Sequence, residues 1–185
     1  MKGKNKLHHI INLMQKPYDF LPKIVCNILW DTLSVSESKV AILSRYLYIK
    51  KYAKSVGNNV FIGKYVSIKN IHALSIGKDV SIHAYSYIDA YGQITIGNSV
   101  SIANHSTLIS SDHTWKDCNL PIKYNPVEPK KIIIEDDVWI AAGVRVLGGS
   151  IIKNRCVIGA GAVVNKDTEK CSVYVGVPIK KVKEI

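Results

Sequence analysis

The sequence is short of acidic residues, of phenylalanine and of paired cysteines. Only 14 Asp and Glu stand against 25 Lys and Arg in 185 residues, a formal net charge of +11. That balance excludes an acidic, solvating chain and points to an anionic partner or co-substrate. The four cysteines, Cys26, Cys118, Cys156 and Cys171, include no Cys-x-x-Cys pair. Neither a zinc knuckle nor a thioredoxin-type redox centre is supported, no metal site is expected, and reduced thiols are the default. With 12 Gly and 6 Pro the chain is neither collagen-like nor of low complexity. Long apolar runs are missing too. The most apolar stretch, Phe20 to Trp30, is too short to span a bilayer and carries Lys23. The start, Met1-Lys-Gly-Lys-Asn-Lys6, has the charge of a signal peptide, but His8, His9, Asn12, Gln15 and Lys16 break the apolar run that should follow. These absences predict a cytoplasmic protein with at most peripheral membrane contact. No nucleic-acid motif is present, so no nucleic-acid partner is expected.

What the sequence does have is a period. Aliphatic residues fall six apart at Val56, Ile62 and Ile68, then at Ile76, Ile82 and Ile88, then at Ile96, Ile102 and Leu108. They resume at Ile134, Ile140 and Val146, then at Ile152, Ile158 and Val164. The fifth place of many units is small or β-branched, as at Val66, Val80, Ser86, Ser106, Val144 and Ala162. The second place is glycine at Gly63, Gly77, Gly97 and Gly159, which is expected to supply turn conformations. A β-sandwich alternates with period two and has no reason to hold phase on six for over a hundred residues. The pattern predicts an all-β fold, a parallel β-helix of about five coils with three six-residue units per coil. One unit cannot bury its apolar face, so coils must stack. Periodicity does not set the hand, and right-handed crossovers are the general expectation for parallel strands.

The interruptions are informative. Steps of eight residues after the first and second triplets predict a corner that bulges by two residues. A step of 26 predicts an excursion near 110–131, carrying Asp112, His113 and Trp115. Long excursions from a compact scaffold often serve function. Residues 1–54 contain no hexapeptides and hold ten Lys and Arg against three Asp and Glu. Ser36-Glu-Ser38 followed by Val40, Ala41, Leu43 and Leu47 predicts a capped helix running to Tyr52. Two regions follow: a basic helical cap over 1–54 that covers the open edge of the first coil, and a β-helix domain over 55–185.

Three stretches resemble the hexapeptide-repeat acetyltransferases, nearest the galactoside, maltose, capsule and lipopolysaccharide O-acetyltransferases. They are Ile134-Glu-Asp-Asp-Val-Trp-Ile-Ala-Ala-Gly143, Val157-Ile-Gly-Ala-Gly-Ala-Val-Val-Asn-Lys-Asp167 and Gly176-Val-Pro-Ile-Lys180. The resemblance implies a left-handed parallel β-helix, a homotrimer with active sites between subunits, and acetyl-CoA as donor. It implies transfer to a sugar or polysaccharide hydroxyl, for which an anionic acceptor would suit the charge of this chain. An amine acceptor on an amino-sugar nucleotide or a xenobiotic is the alternative on the same fold.

His113, in Ser110-Ser-Asp-His-Thr-Trp115, matches the family's catalytic histidine. An imidazole titrating near neutrality suits removal of a proton from an attacking hydroxyl. His105, close by in sequence, is its rival. The resemblance places the pantetheine arm against backbone groups at Ala142, Gly159 and Ala160. Trp139 stands near the thioester or a neighbouring subunit, with Asn165, Lys166 and Lys183 toward the nucleotide end. Ala142 replaces a serine of the galactoside enzymes, so only its N–H could serve an oxyanion. The acceptor candidates are His83, Asp89, Tyr91 and Asn104. His83 replaces the family asparagine, and Asp89 lies two positions from the family aspartate, whose aligned place holds Tyr91. A zinc enzyme of the γ-carbonic anhydrase kind would need histidines five apart, whereas His105 and His113 are eight apart.

Overall fold

The computed structural model describes residues 13–185. The charged start and both His8 and His9 lie outside the described residues. Residues 13–19 are helical, followed by α1 (Lys23–Leu33) and α2 (Lys39–Tyr52). α2 starts where the sequence predicts: the Ser38 hydroxyl accepts the Ala41 N–H at 3.3 Å.

The rest is a β-helix. The first coil is β1 (Ser55–Val56), β2 (Phe61–Ile62) and β3 (Ser67–Lys69); the second is β4 (Leu74–Ile76), β5 (Ser81–Ile82) and β6 (Tyr87–Asp89). The third is β7 (Ile94–Ile96), β8 (Ser101–Ile102) and β9 (Thr107–Ile109), after which β10 (Ser111–His113) and β11 (Val127–Pro129) form a hairpin. The fourth coil is β12 (Ile132–Ile134), β13 (Trp139–Ile140) and β14 (Arg145–Leu147), and the fifth is β15 (Ile151–Ile152), β16 (Val157–Ile158) and β17 (Val163–Val164). The chain ends in β18 (Ser172–Val175) and β19 (Lys180–Glu184). Three parallel faces result. The first is β1-β4-β7-β12-β15, the second β2-β5-β8-β13-β16-β18 with β19 antiparallel at its edge, and the third β3-β6-β9-β14-β17.

The six-residue grid is the packing code. On the second face Ile62, Ile82, Ile102, Ile140 and Ile158 stand in register, all fully buried. Burying one such side chain contributes about 1.5–3 kcal/mol. The fifth-place residues Val66, Ser86, Ser106, Val144 and Ala162 are buried as well. The hydroxyls among them stay satisfied: Ser106 Oγ donates to the Ala141 carbonyl at 3.2 Å.

Two expectations need correction. The helix extends beyond five coils, because β18 adds a strand to the second face and begins a sixth turn. Its inward residue over Ile158 is the buried Tyr174, an aromatic that a search for aliphatics passes over. Nor do second-place glycines supply turn conformations. Left-handed φ occurs instead at the fourth place, at Asn59, Tyr65, Asp79, Tyr85, Ser99, His105, Asp137, Gly143, Arg155 and Gly161. Gly77 answers to a different constraint: a Cβ there would meet the Gly97 carbonyl of the next coil at 2.5 Å. Fourth places hold chemically diverse residues, so their shared backbone geometry leaves little trace in the sequence.

The cap closes the first coil as expected, through a residue the sequence did not flag. Arg45 of α2 is 1% exposed. Its Nε donates to the Ile62 carbonyl at 2.8 Å, and one terminal nitrogen donates to the Leu33 and Ser36 carbonyls at 2.9 and 2.8 Å. Tyr46 Oη donates to the Gly57 carbonyl at 3.1 Å. The bonds to Ile62 and Gly57 occupy carbonyls of the first coil that have no further coil beyond them, and those to Leu33 and Ser36 tie α2 to the end of α1. Arg45→Ala leaves the Ile62 and Ser36 carbonyls without this donor, the Leu33 carbonyl keeping the Ser36 N–H, and should cost about 2–4 kcal/mol. Urea unfolding followed by circular dichroism checks this; an unchanged midpoint would remove Arg45 from the capping role.

Candidate active site

All insertions lie at one edge of the prism, the corner joining the third face to the first. The short helix Ile71–Ala73 follows β3 there, the turn at Tyr91 and Gly92 follows β6, and the excursion follows β9. The excursion is an ordered arm. Its strands pair Ser111 with Pro129 and His113 with Val127, and its base closes through the Lys130 N–H donating to the Ser110 carbonyl at 2.7 Å. Farther out, the buried Asn125 side chain accepts the Asp117 N–H at 3.0 Å and donates to the carbonyls of Asp117, Leu120 and Pro121. Sequence reasoning missed Asn125, because a lone asparagine among prolines carries no periodic signal.

A pocket of about 400 Å³ opens at this corner, lined by Asp89, Tyr91, Ile109, Ser111, Asp112, His113 and Val127. It brings together three predicted residues: His113, Asp89 and Tyr91. His113 is exposed at the end of β10, and among the described residues no group of the chain hydrogen-bonds its ring. The adjacent Asp112 does not orient it. Asp112 is paired with Lys130 at 2.8 Å, which raises the lysine pKa. Asp89 has a turn-forming role as well as a place in the pocket wall: one carboxylate oxygen accepts from Asn70 Nδ2 at 2.7 Å and from the Tyr91 N–H at 3.2 Å. Its strand register sets Asp89 beside Ile109 of the next coil.

The other acceptor candidates lie elsewhere. His83 and Asn104 follow β5 and β8, at the corner joining the second face to the third, and line no part of the His113 pocket. His83 packs on Phe61, with ring centroids 5.6 Å apart. Asn104 Nδ2 lies 2.8 Å from His105 Nδ1. His105 itself ends a stack of exposed rings, Tyr65 on Tyr85 on His105, each pair 5.0 Å apart.

Where that stack ends, side chains give way to backbone. The next fourth-place residues along the corner are Gly143 and Gly161, and a Cβ added at Gly161 would meet nothing within 4 Å. Ala142 and Ala160 flank them, so coils four and five present a narrow shelf on which an extended chain can lie close to backbone. Among the described residues no acceptor of the chain takes the Ala142 or Ala160 N–H. Gly159 is different, and here the expectation is corrected: its N–H already donates to the Tyr174 carbonyl at 2.8 Å, so it contributes compactness rather than a donor.

Next to the shelf, Trp139 stands on the outer side of the second face and is 53% exposed. Its register runs through Val157 and Val173 to Lys183, forming one outward row. Lys181 is tied to Glu169 and Glu184 at 2.7 and 2.8 Å and is less available than Lys183. Asn165 and Lys166 are exposed just after β17, at the same corner as the His113 pocket but two coils further along. Within the chain, then, the imidazole and the shelf occupy different corners of the prism.

The model of the bacterial transferase hexapeptide (six repeats) matches residues 131–166. The match takes in the fourth and fifth coils, about a fifth of the chain. The galactoside acetyltransferase solved in complex with coenzyme A is 28% identical with a TM-score of 0.77, over 91% of this chain and 81% of that one. A hexapeptide-repeat acetyltransferase from Vibrio cholerae, solved with acetyl coenzyme A, has a TM-score of 0.76 at 23% identity, over 86% of this chain and 84% of that one. That likeness shows the fold, a left-handed parallel β-helix, so the general right-handed rule for crossovers does not hold here. An Escherichia coli K12 protein assigned by name to O-acetyl transfer in lipopolysaccharide biosynthesis is 35% identical over 81 residues, 44% of this chain and 41% of that one. The chain thus spans well under two thirds of the curated relatives it matches.

Asp89→Ala should lower stability by about 1–2 kcal/mol, because the Asn70 amide and Tyr91 N–H lose their acceptor. Asp89→Asn should retain most of that stability. Thermal unfolding of both variants checks this, and equal loss in the two would contradict the turn-forming role.

Proposed function

We propose that this protein is an acetyltransferase that moves an acetyl group from acetyl-CoA to a hydroxyl of a sugar, within a bacterial surface polysaccharide or its precursor. The observation that carries the reading is an exposed imidazole beside Asp89 and Tyr91 in one pocket, on a scaffold that offers a side-chain-free shelf at another corner. In this reading Asp89 and Tyr91 hold the acceptor, the carboxylate taking hydrogen bonds from sugar hydroxyls and the phenol ring lying against the sugar. His113 removes the hydroxyl proton as the oxygen attacks the thioester carbonyl carbon. The tetrahedral oxyanion collapses, the C–S bond breaks, and the CoA sulfur takes the proton back from the imidazolium. The thioester is already activated, so no acyl-enzyme is needed. The Ala142 N–H is the candidate donor to the oxyanion, without the hydroxyl that a serine would add.

The donor lies along the shelf at Ala142, Gly159 and Ala160, with Trp139 at its side and Lys183 toward its phosphates, while Lys166, on the His113 corner, reaches them from the neighbouring protomer. Because base and shelf sit at different corners, the working site joins the His113 corner of one protomer to the shelf of the next. A homotrimer satisfies that requirement. His83 and Asn104, on the shelf corner, then approach the acceptor from the neighbouring protomer. The excess of basic residues favours an anionic acceptor.

Release of free thiol from acetyl-CoA in the presence of candidate glycans tests the reading. His113→Ala should lower kcat by about 10²–10⁴-fold while CoA binding stays within about twofold. Normal turnover in that variant would refute the assignment of the base. The product decides between acceptors: an ester is cleaved by mild alkali, whereas an alkali-stable product would identify an amide and the amine acceptor.

A further inference from the structure

The cap carries an apolar surface that neither the fold nor the proposed reaction uses. In α1, Cys26 is fully buried and Leu29 packs inward against the same cluster. The opposite side of α1 is apolar as well, with Ile24 and Ile28 exposed at 65% and 54%. In the turn that precedes α1, Phe20 is 89% exposed. Ile24 and Ile28, four residues apart, form a short outward stripe on α1, and the exposed Phe20 adds to it from the turn just before the helix. α1 also carries Lys23, Asn27, Asp31 and Thr32, so the exposed isoleucines are a second, short apolar patch at the surface rather than part of an all-apolar helix.

The charge around the stripe says what covers it. Lys16, Lys23 and Lys39 are exposed on the same cap, and the sequence before Leu13 adds Lys2, Lys4 and Lys6 with no carboxylate. Among the acidic residues of the cap, Glu37 accepts the Lys64 N–H and lies 3.8 Å from Arg45. Asp19 accepts from Gln15 at 2.6 Å. Only Asp31 adds a carboxylate to the outward side of α1. An apolar stripe with a basic surround is the pattern of a helix lying in a membrane interface, its apolar side in the acyl boundary and its lysines among anionic headgroups. No helix among the described residues is long and apolar enough to cross a membrane.

We propose that the cap docks this protein onto an anionic lipid surface through Phe20, Ile24 and Ile28, with Lys16 and Lys23 meeting the headgroups. The cap sits on the first coil, so docking leaves the shelf of the fourth and fifth coils at the far end of the prism. This proposal is independent of the acetyl-transfer reading.

Flotation of the full chain with vesicles of phosphatidylglycerol and phosphatidylcholine, and with phosphatidylcholine alone, tests it. The protein should float with the anionic vesicles, weaken as salt is raised, and stay behind with the neutral ones. Phe20→Ser/Ile24→Ser/Ile28→Ser should weaken partition by about tenfold or more. The surface variant Lys16→Glu/Lys23→Glu, which touches no core residue, should weaken it by about tenfold as well. Failure to float, equal partition to neutral vesicles, or full binding by the charge-reversed variant would overturn the proposal. So would a triple serine variant whose oligomeric mass drops, since the stripe would then be a contact between copies of the chain.

Discussion

Everything in this molecule rests on the column of aliphatic side chains that the six-residue spacing stacks inside the prism. Each Ile or Val lies over its counterpart one coil away, and the corners place a left-handed residue before each compact fifth position. The geometry is tight enough that backbone meets backbone. At Gly77 there is no room for a Cβ beside the next coil. Such a column is rigid along its length and leaves outward places open to variation. The chain uses those outward places in blocks: stacked rings along one corner of the early coils, then glycine and alanine along the same corner of the later ones.

A stacked helix has two ends, and each is closed by a different device. At the first coil the buried Arg45 and Tyr46 supply donors to the Ile62 and Gly57 carbonyls, which no further coil can reach. At the other end β18 and the antiparallel β19 finish the second face, with Tyr174 filling the last inward place. The insertions gather at the one corner where the sequence steps by eight and by 26. That corner therefore carries the pocket, while the shelf lies on another. Separation of an imidazole from the shelf within one protomer follows directly from which corner received the excursion.

The inward pattern was legible because burial constrains chemistry: a residue that must be aliphatic at every sixth place writes a period into the sequence. The excursion was legible as a break in that period, and His113 as a match to a known motif. Other features lacked such a trace. Tyr174 occupies an aliphatic place as an aromatic. Arg45 is a polar residue in a core role, and its meaning depends on carbonyls 17 residues away in sequence, such as that of Ile62. Grouping of acceptor candidates also failed to follow from linear reading. His83 and Asp89 are six residues apart, one unit, and a unit is one face of the triangle. Neighbours in the sequence therefore turn to different corners, whereas residues one full coil apart, such as Asp89 and Ile109, become neighbours in space.

The central claim is that the prism puts His113 and the shelf on different corners, so that the proposed site draws on two protomers. Mixing two inactive variants tests it most directly. One is His113→Ala, and the other is Ala160→Trp, which fills the shelf with a side chain at an exposed place. Co-refolded together, they should form some junctions with an intact His113 from one protomer and an open shelf from the other, and thiol release should return to a measurable fraction of the normal rate. If the mixed assemblies remain as inactive as either variant alone, the site lies within a single protomer and the account is contradicted.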